Sequence, residues 1–322
     1  MRRPRKKNTC SNLGRLFVGL SLSVFALLAN AAGSPVYLLL SGERSYYQEV
    51  STIFQEALAE QSDAPIVHVY GLDQSLQVAP NSTLVTVGSK ATEFALKRFP
   101  NEDLVSLLMP AVAWDDLSSR LPGAGRRAAV VIDQPLARSL ALGKLLVPSA
   151  KRVGAVFGPV SVASKPQLRS AVQRSGMELI YADLMSDDNP VGVLTPLVQK
   201  TDLFITVADR GVFNKSVAKW LLYLSFRQKV SVIGFSQSYV KAGALAAVYS
   251  SPENIGHHGA ELLALLLSPK EDASVVAENW RVHYPRYYTL AVNREVARAL
   301  NISVPGLSSL YQEFQSVLEA MQ

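Results

Sequence analysis

From Pro35 onward the chain alternates short apolar runs with stretches whose apolar residues recur every three or four positions. Residues 35–40 form one continuous apolar run, the pattern of a strand buried on both faces. Ser41-Gly42-Glu43 then opens a predicted helix over 44–61, in which Val50, Phe54 and Leu58 share a face. Further strands are predicted over 66–70, 83–87, 104–109 and 128–132, with helices over 90–99 and 136–146 and an irregular stretch over 111–126. A second alternating block follows, with strands over 153–157, 178–182, 203–207 and 230–235. Its clearest helices cover 165–175, ended by Gly176, and 213–227. Strands that alternate with helices predict parallel βαβ units and sheets covered on both faces. Two such blocks predict an α/β protein of two Rossmann-like lobes, with function in the loops beyond the carboxyl ends of the strands.

Residues before Pro35 follow another grammar. Arg2, Arg3, Arg5, Lys6, Lys7 and Arg15 precede an apolar stretch from Leu16 to Leu28, and Ala29-Asn30-Ala31 fits a small-x-small cleavage site. This is the pattern of a secretory signal peptide over 1–31, and it predicts a periplasmic protein. The apolar stretch is about 13 residues, whereas a membrane span needs ~20. The leader also explains the charge. The chain has 32 Lys+Arg against 26 Asp+Glu, but residues 1–31 hold six of the basic residues and none of the acidic ones. The remainder is neutral, so the high isoelectric point is no nucleic-acid footprint. Cys10, the only cysteine, lies within the same leader. A chain beginning after residue 31 therefore has no thiol for a disulfide, a thiolate metal site or a nucleophile.

Five segments then fall in the order of a known family. Pro148-Ser-Ala-Lys-Arg-Val-Gly154-Ala-Val-Phe157 resembles a recurrent approach to a strand, and Thr206-Val-Ala-Asp209 a strand end that carries an Asp. Lys241-Ala-Gly243-Ala-Leu-Ala, the Ile255-Gly256 pair with Ala260 and Leu265-Leu266, and Asn293 to Pro305 complete the series. Residues 134–306 thus resemble the substrate-binding proteins of ABC transporters, whose members include tryptophan and tyrosine binders. The first lobe matches by pattern alone: Gly88-Ser89-Lys90 and Pro110-Ala-Val-Ala-Trp114 stand where the family has other turns, as do Phe157-Gly158 and Tyr249-Ser-Ser-Pro252 in the second lobe. The resemblance implies the type I periplasmic-binding-protein fold, with a ligand cleft that closes by hinge motion. It places lobe one at 35–126 plus 252–278, and lobe two at 127–251 plus 279–322. It implies a monomer that binds a small organic solute, an amino acid among the candidates, and delivers it to an inner-membrane ABC permease. A sensor or adaptor signalling to a membrane protein would look the same in sequence.

The candidate ligand-binding residues follow from strand ends. Ser41, Gly42, Gly88 and Ser89 begin helices, where free N–H groups favour a carboxylate, although Ser is also an ordinary cap. Asp209 is placed to meet a ligand ammonium or to cap the next helix. Tyr46, Phe157, Phe235 and Tyr249 could wall an apolar ligand or pack in the core, and Ser236 lies at the strand end beside Phe235. Catalytic look-alikes fail on context. Gly123-Ala-Gly125 runs into a strand instead of opening a helix. Gly234-Phe-Ser236-Gln-Ser238 lacks the final glycine of a nucleophile elbow, which disfavours a secreted hydrolase. His257 and His258 are adjacent and point ~100° apart on a helix, so they cannot chelate one metal. No catalytic residue, metal or cofactor is expected.

Overall fold

The structure, a computed structural model, describes residues 35–61, 63–211, 213–268 and 271–321. The expected leader lies outside them. The first block runs β1 (Val36–Leu40), α1 (Ser45–Ala59), β2 (Val67–Gly71), β3 (Thr83–Val87), α2 (Ser89–Arg98), β4 (Asp103–Met109), α3 (Ala111–Arg120) and β5 (Arg127–Val131). The second runs α4 (Leu136–Leu146), β6 (Arg152–Phe157), α5 (Lys165–Arg174), β7 (Glu178–Asp183), α6 (Pro190–Val198), β8 (Leu203–Ile205), α7 (Lys215–Arg227), β9 (Ser231–Gly234), α8 (Gln237–Ala242) and β10 (Ala246–Tyr249). The chain then returns through α9 (Pro252–Leu267), α10 (Ala273–Asn279) and β11 (Val282–His283), and crosses again to β12 (Thr289–Val292), α11 (Arg294–Ala299) and α12 (Leu307–Glu319).

These elements build two six-stranded sheets of one design, β2-β1-β3-β4-β5-β11 and β7-β6-β8-β9-β10-β12. All pairings are parallel except β10 with β12. The central strands β1 and β3 are buried along their whole length, whereas edge strand β2 is half-exposed. One face of the first sheet packs on α1 and α9 through Phe54, Leu58, Ile255 and Leu263, and the other on α2 and α3 through Ala95, Trp114 and Leu117. The second sheet packs on α4, α5 and α12 through Leu140, Leu168 and Phe314, and on α6 and α7 through Leu194 and Leu221. The fold is therefore the two-lobe α/β arrangement that the alternation predicts.

Two expectations are corrected. Residues 111–120, read as irregular, form α3, with Trp114 and Leu117 buried on one face. Local caps are missing from the sequence because Asp133, beyond β5, supplies the cap: its Oδ2 accepts the Ala111 N–H at 2.7 Å. The change of lobe also comes later than residue 127. Strand β5 pairs with β4, and β11 pairs with β5, so 127–131 and 282–283 belong to the first sheet. The three crossovers are therefore 132–135, 250–251 and 284–288. One hydrogen-bonded chain joins them. Ser250 Oγ donates to the Ile132 carbonyl and accepts from Gln134 Nε2, and Arg138 donates to Gln134 Oε1 and to the Pro285 carbonyl.

Candidate functional site

Strand order reverses at β1 in the first sheet and at β6 in the second. Such switch points are where open α/β sheets hold ligands, beyond the carboxyl ends of the strands. Ser41, Gly42, Gly88 and Ser89 follow β1 and β3 at the first. Phe157 and Asp209 lie at the second, with Phe235, Ser236 and Tyr249 at the ends of the strands beside it. The residues that sequence reasoning selected thus fall at equivalent places in the two lobes.

In lobe one the switch point is closed by a long-range cap. Gly88 precedes α2 and has no side chain to cap it, and Ser41 Oγ accepts the Ala91 N–H at 2.9 Å instead. Gly88 has φ +88°, and a Cβ there would lie 2.7 Å from both Ser41 Oγ and Tyr47 Cε1. A glycine is required on both counts. Tyr46 and Tyr47 hold their rings 4.3 Å apart, and Tyr46 Oη accepts from Arg44 at 3.2 Å.

Asp209 does the corresponding work in lobe two. It is only 4% exposed. Its Oδ2 accepts the N–H groups of Val160 and Ser161 at 3.0 and 2.7 Å, and its Oδ1 accepts that of Gly211 at 2.8 Å. Burial pushes its proton affinity up, but the N–H and hydroxyl of Ser161 with the N–H groups of Gly211 and Val160 outweigh it and hold the carboxyl below its ordinary value. Three backbone N–H groups of its own lobe thus occupy most of the roughly four lone-pair positions of the carboxylate. Nor does Asp209 cap α7, which Asn214 caps by accepting from Ser216 and Val217. Phe157 is fully buried in the core of lobe two, edge-on to Tyr181. Tyr46, Phe235, Ser236 and Tyr249 are half-buried.

Two further charged groups, Arg210 and Asp133, stand near these strand ends. Arg210, next to Asp209, is exposed and acts electrostatically on Tyr47 of lobe one and on Asp133 of the first crossover. Burial raises the Asp133 carboxyl above its ordinary value, against the N–H of Ala111, its own N–H and Arg210. The clue to Asp133 was its position, an acid just beyond a strand and two residues before Pro135. Arg210 had no local signal, since its meaning depends on the facing lobe. Two hollows lie elsewhere. One of about 840 Å³ is lined by Arg152, Glu178 and Asp202 at the amino ends of strands, opposite the switch point; one of about 540 Å³ lies against the third crossover, between His257 and Tyr311. Position relative to the strand ends favours the interlobe cleft over both.

Comparison with known proteins agrees with this architecture. The family described as "ABC transporter substrate binding protein" matches residues 129–311, more than half of the chain. A tyrosine-binding protein of Clostridioides difficile is 25% identical over 138 residues, which span 41% of this chain and 39% of that relative. The fold is that of the ligand-free, open substrate-binding protein with adhesive properties from Clostridium difficile, with a TM-score of 0.63 at 16% identity over 85% of this chain and 97% of that one. It is also that of an ABC domain from Streptococcus pneumonia in complex with L-Trp, with a TM-score of 0.55 at 16% identity over 87% and 98%. This chain belongs to the ABC transporter substrate-binding protein family.

Proposed function

We propose that the protein is the solute-receiving component of an ABC importer. It is exported through the leader at 1–31, works in the periplasm without catalysing a reaction, and passes a small zwitterionic solute of the amino-acid class to a permease. The observation that carries the reading is that Arg210, at a strand end of lobe two, acts electrostatically on Asp133 at the first crossover and on Tyr47 of lobe one, beside two switch points already fixed by internal hydrogen bonds. A zwitterion entering the cleft satisfies both charges. Its carboxylate meets Arg210 and the helix starts at Gly88-Ser89, and its ammonium meets Asp133. Asp209 holds the 158–161 loop in place. Tyr46, Phe235 and Tyr249 wall the side chain, with Ser41, Gly42 and Ser236 at the polar rim. Supporting the amino-acid class, one relative is named for tyrosine and one similar structure holds L-Trp. The lobes close as bodies, 35–131 with 252–283 against 136–249 with 289–321, because a ligand contacting both stabilises the closed form selectively.

The test is calorimetric titration of the protein with amino acids, sugars, nucleosides and organic anions, with X-ray scattering of the saturated and free forms. An amino acid is expected to bind and contract the particle. Arg210→Gln is expected to lose about ten- to hundred-fold in affinity, the range of a charge-assisted hydrogen bond. A neutral sugar binding with affinity indifferent to Arg210→Gln would overturn the zwitterion reading.

A further inference from the structure

We propose that the outward face of α7 docks the protein onto an anionic phospholipid surface. From Arg210 to Pro252 the chain has no acidic residue, but it has Arg210, Lys215, Lys219, Arg227, Lys229 and Lys241. Helical periodicity divides α7 sharply. Val217, Leu221, Leu222 and Ser225 are buried against lobe two. Lys215, Lys219, Trp220, Tyr223, Phe226 and Arg227 fall on the opposite arc.

The aromatic members of that arc are exposed to an unusual degree, Trp220 by 44%, Tyr223 by 50% and Phe226 by 53%. They are also arranged. Trp220 and Tyr223 meet edge to face at 5.9 Å, and Arg227 lies 5.7 Å from the Tyr223 ring and donates to its hydroxyl at 3.1 Å. Large apolar groups left in water along one helix mark a contact surface.

The chemistry of the face identifies the partner. Aromatic rings settle at the headgroup level of a bilayer, and interspersed Lys and Arg pair with anionic lipid phosphates. Aromatic residues and Arg are enriched in protein–protein interfaces too, but Lys is depleted there, so Lys215 and Lys219 are the members of the face that favour a lipid over a protein partner. Helix α7 joins β8 to β9 along the flank of lobe two, so docking through it leaves the cleft between the lobes open.

The experiment is flotation with vesicles of phosphatidylcholine alone, or with about a third phosphatidylglycerol, using the chain from Ala32 onward. Every described element of both lobes lies within 35–321, and the basic leader would itself bind anionic vesicles. Anionic vesicles are expected to retain the protein at low salt and release it as salt is raised. Lys215→Gln with Lys219→Gln is expected to weaken partition about thirty-fold, from the contribution of each cation near a charged surface. Trp220→Ser with Tyr223→Ser is expected to weaken it on all vesicles. Lys97→Gln with Arg120→Gln, a charge-matched pair on lobe one, is expected to change nothing. Unaltered melting temperatures keep the comparison free of misfolding. Equal retention by neutral and anionic vesicles, no retention by either, or an equal loss in the lobe-one pair overturns the proposal.

Discussion

At residue 88 two requirements meet. The backbone is left-handed at φ +88°, and the space a Cβ would occupy is taken by Ser41 Oγ and Tyr47. Gly88→Ala is therefore expected to destabilise the protein by about 1–3 kcal/mol, from backbone strain and overpacking together. Ser41→Ala is expected to cost about 1 kcal/mol by removing the cap of α2. It also removes one of the two atoms that the new methyl would strike, so the double variant is expected to lose less than the two single losses added. Urea denaturation of the three variants measures this coupling. Full additivity would mean that the Gly88 backbone conformation and the Tyr47 ring, not Ser41 Oγ, set the cost. Both residues were visible in sequence as a strand-end Ser and a strand-end Gly. That they serve each other was not, because β1 and β3 become neighbours only in the sheet.

The same limit operates at the scale of elements. Buried strands and one-faced helices were legible because burial writes a period into the sequence. Helix α3 was not, since its cap lies on Asp133, a strand and a loop away. Asp209 was legible as a strand-end acid, but its partners Val160 and Ser161 come from the facing loop. The histidines of α9 illustrate a further case. His257 is exposed, whereas the next residue, His258, is buried, accepts the Arg286 N–H on Nδ1 and stands 5.9 Å from His283. Burial, then His283 and Arg286, lowers its pKa from the ordinary 6.5 to about 4, against the opposing pull of Glu261. The unfolded chain therefore takes up a proton near pH 6.5 that the folded protein refuses. Stability from this group is full above that pH and drains as pH falls toward 4, by about 2 kcal/mol between pH 7 and 5. His258→Asn keeps an acceptor for Arg286 and cannot titrate. Its urea midpoint is expected to fall less than that of the parent over that interval, with a remainder from His283, whose burial also lowers it. Equal slopes would place the acid sensitivity elsewhere.

For the whole molecule, what matters is how two similar sheets share three chain crossings. The sequence announced two lobes, but gave β5 to the wrong one, since a strand carries no mark of the sheet it will join. The crossings themselves are tied by Gln134, Arg138 and Ser250. Arg138 also lies 4.7 Å from the Tyr288 ring, so its guanidinium touches groups on the first and third crossings at once. Gln134 links Arg138 to the second crossing, through Ser250 Oγ at 2.8 Å, beside the direct bond from Ser250 Oγ to the Ile132 carbonyl. Gln134→Ala cuts that link and leaves every strand pairing in place. It is expected to cost about 2–4 kcal/mol in global stability, the net worth of the neutral bond to Ser250 and the charge-assisted bond from Arg138 together. Its effect on the hinge is expected to be larger in kind. With the first two crossings held only by the Ser250–Ile132 bond and Arg138 detached from that tie, the lobes of the free protein sample a wider range of separations, because domain closure is absorbed by a few crossing residues. Distance distributions between spin labels at Glu60 on lobe one and Lys200 on lobe two, both exposed, are expected to broaden in the variant and narrow again when ligand is added. A distribution no wider than that of the parent would show that sheet and helix packing alone set the range of opening, and that the hydrogen-bonded crossings follow that motion without governing it.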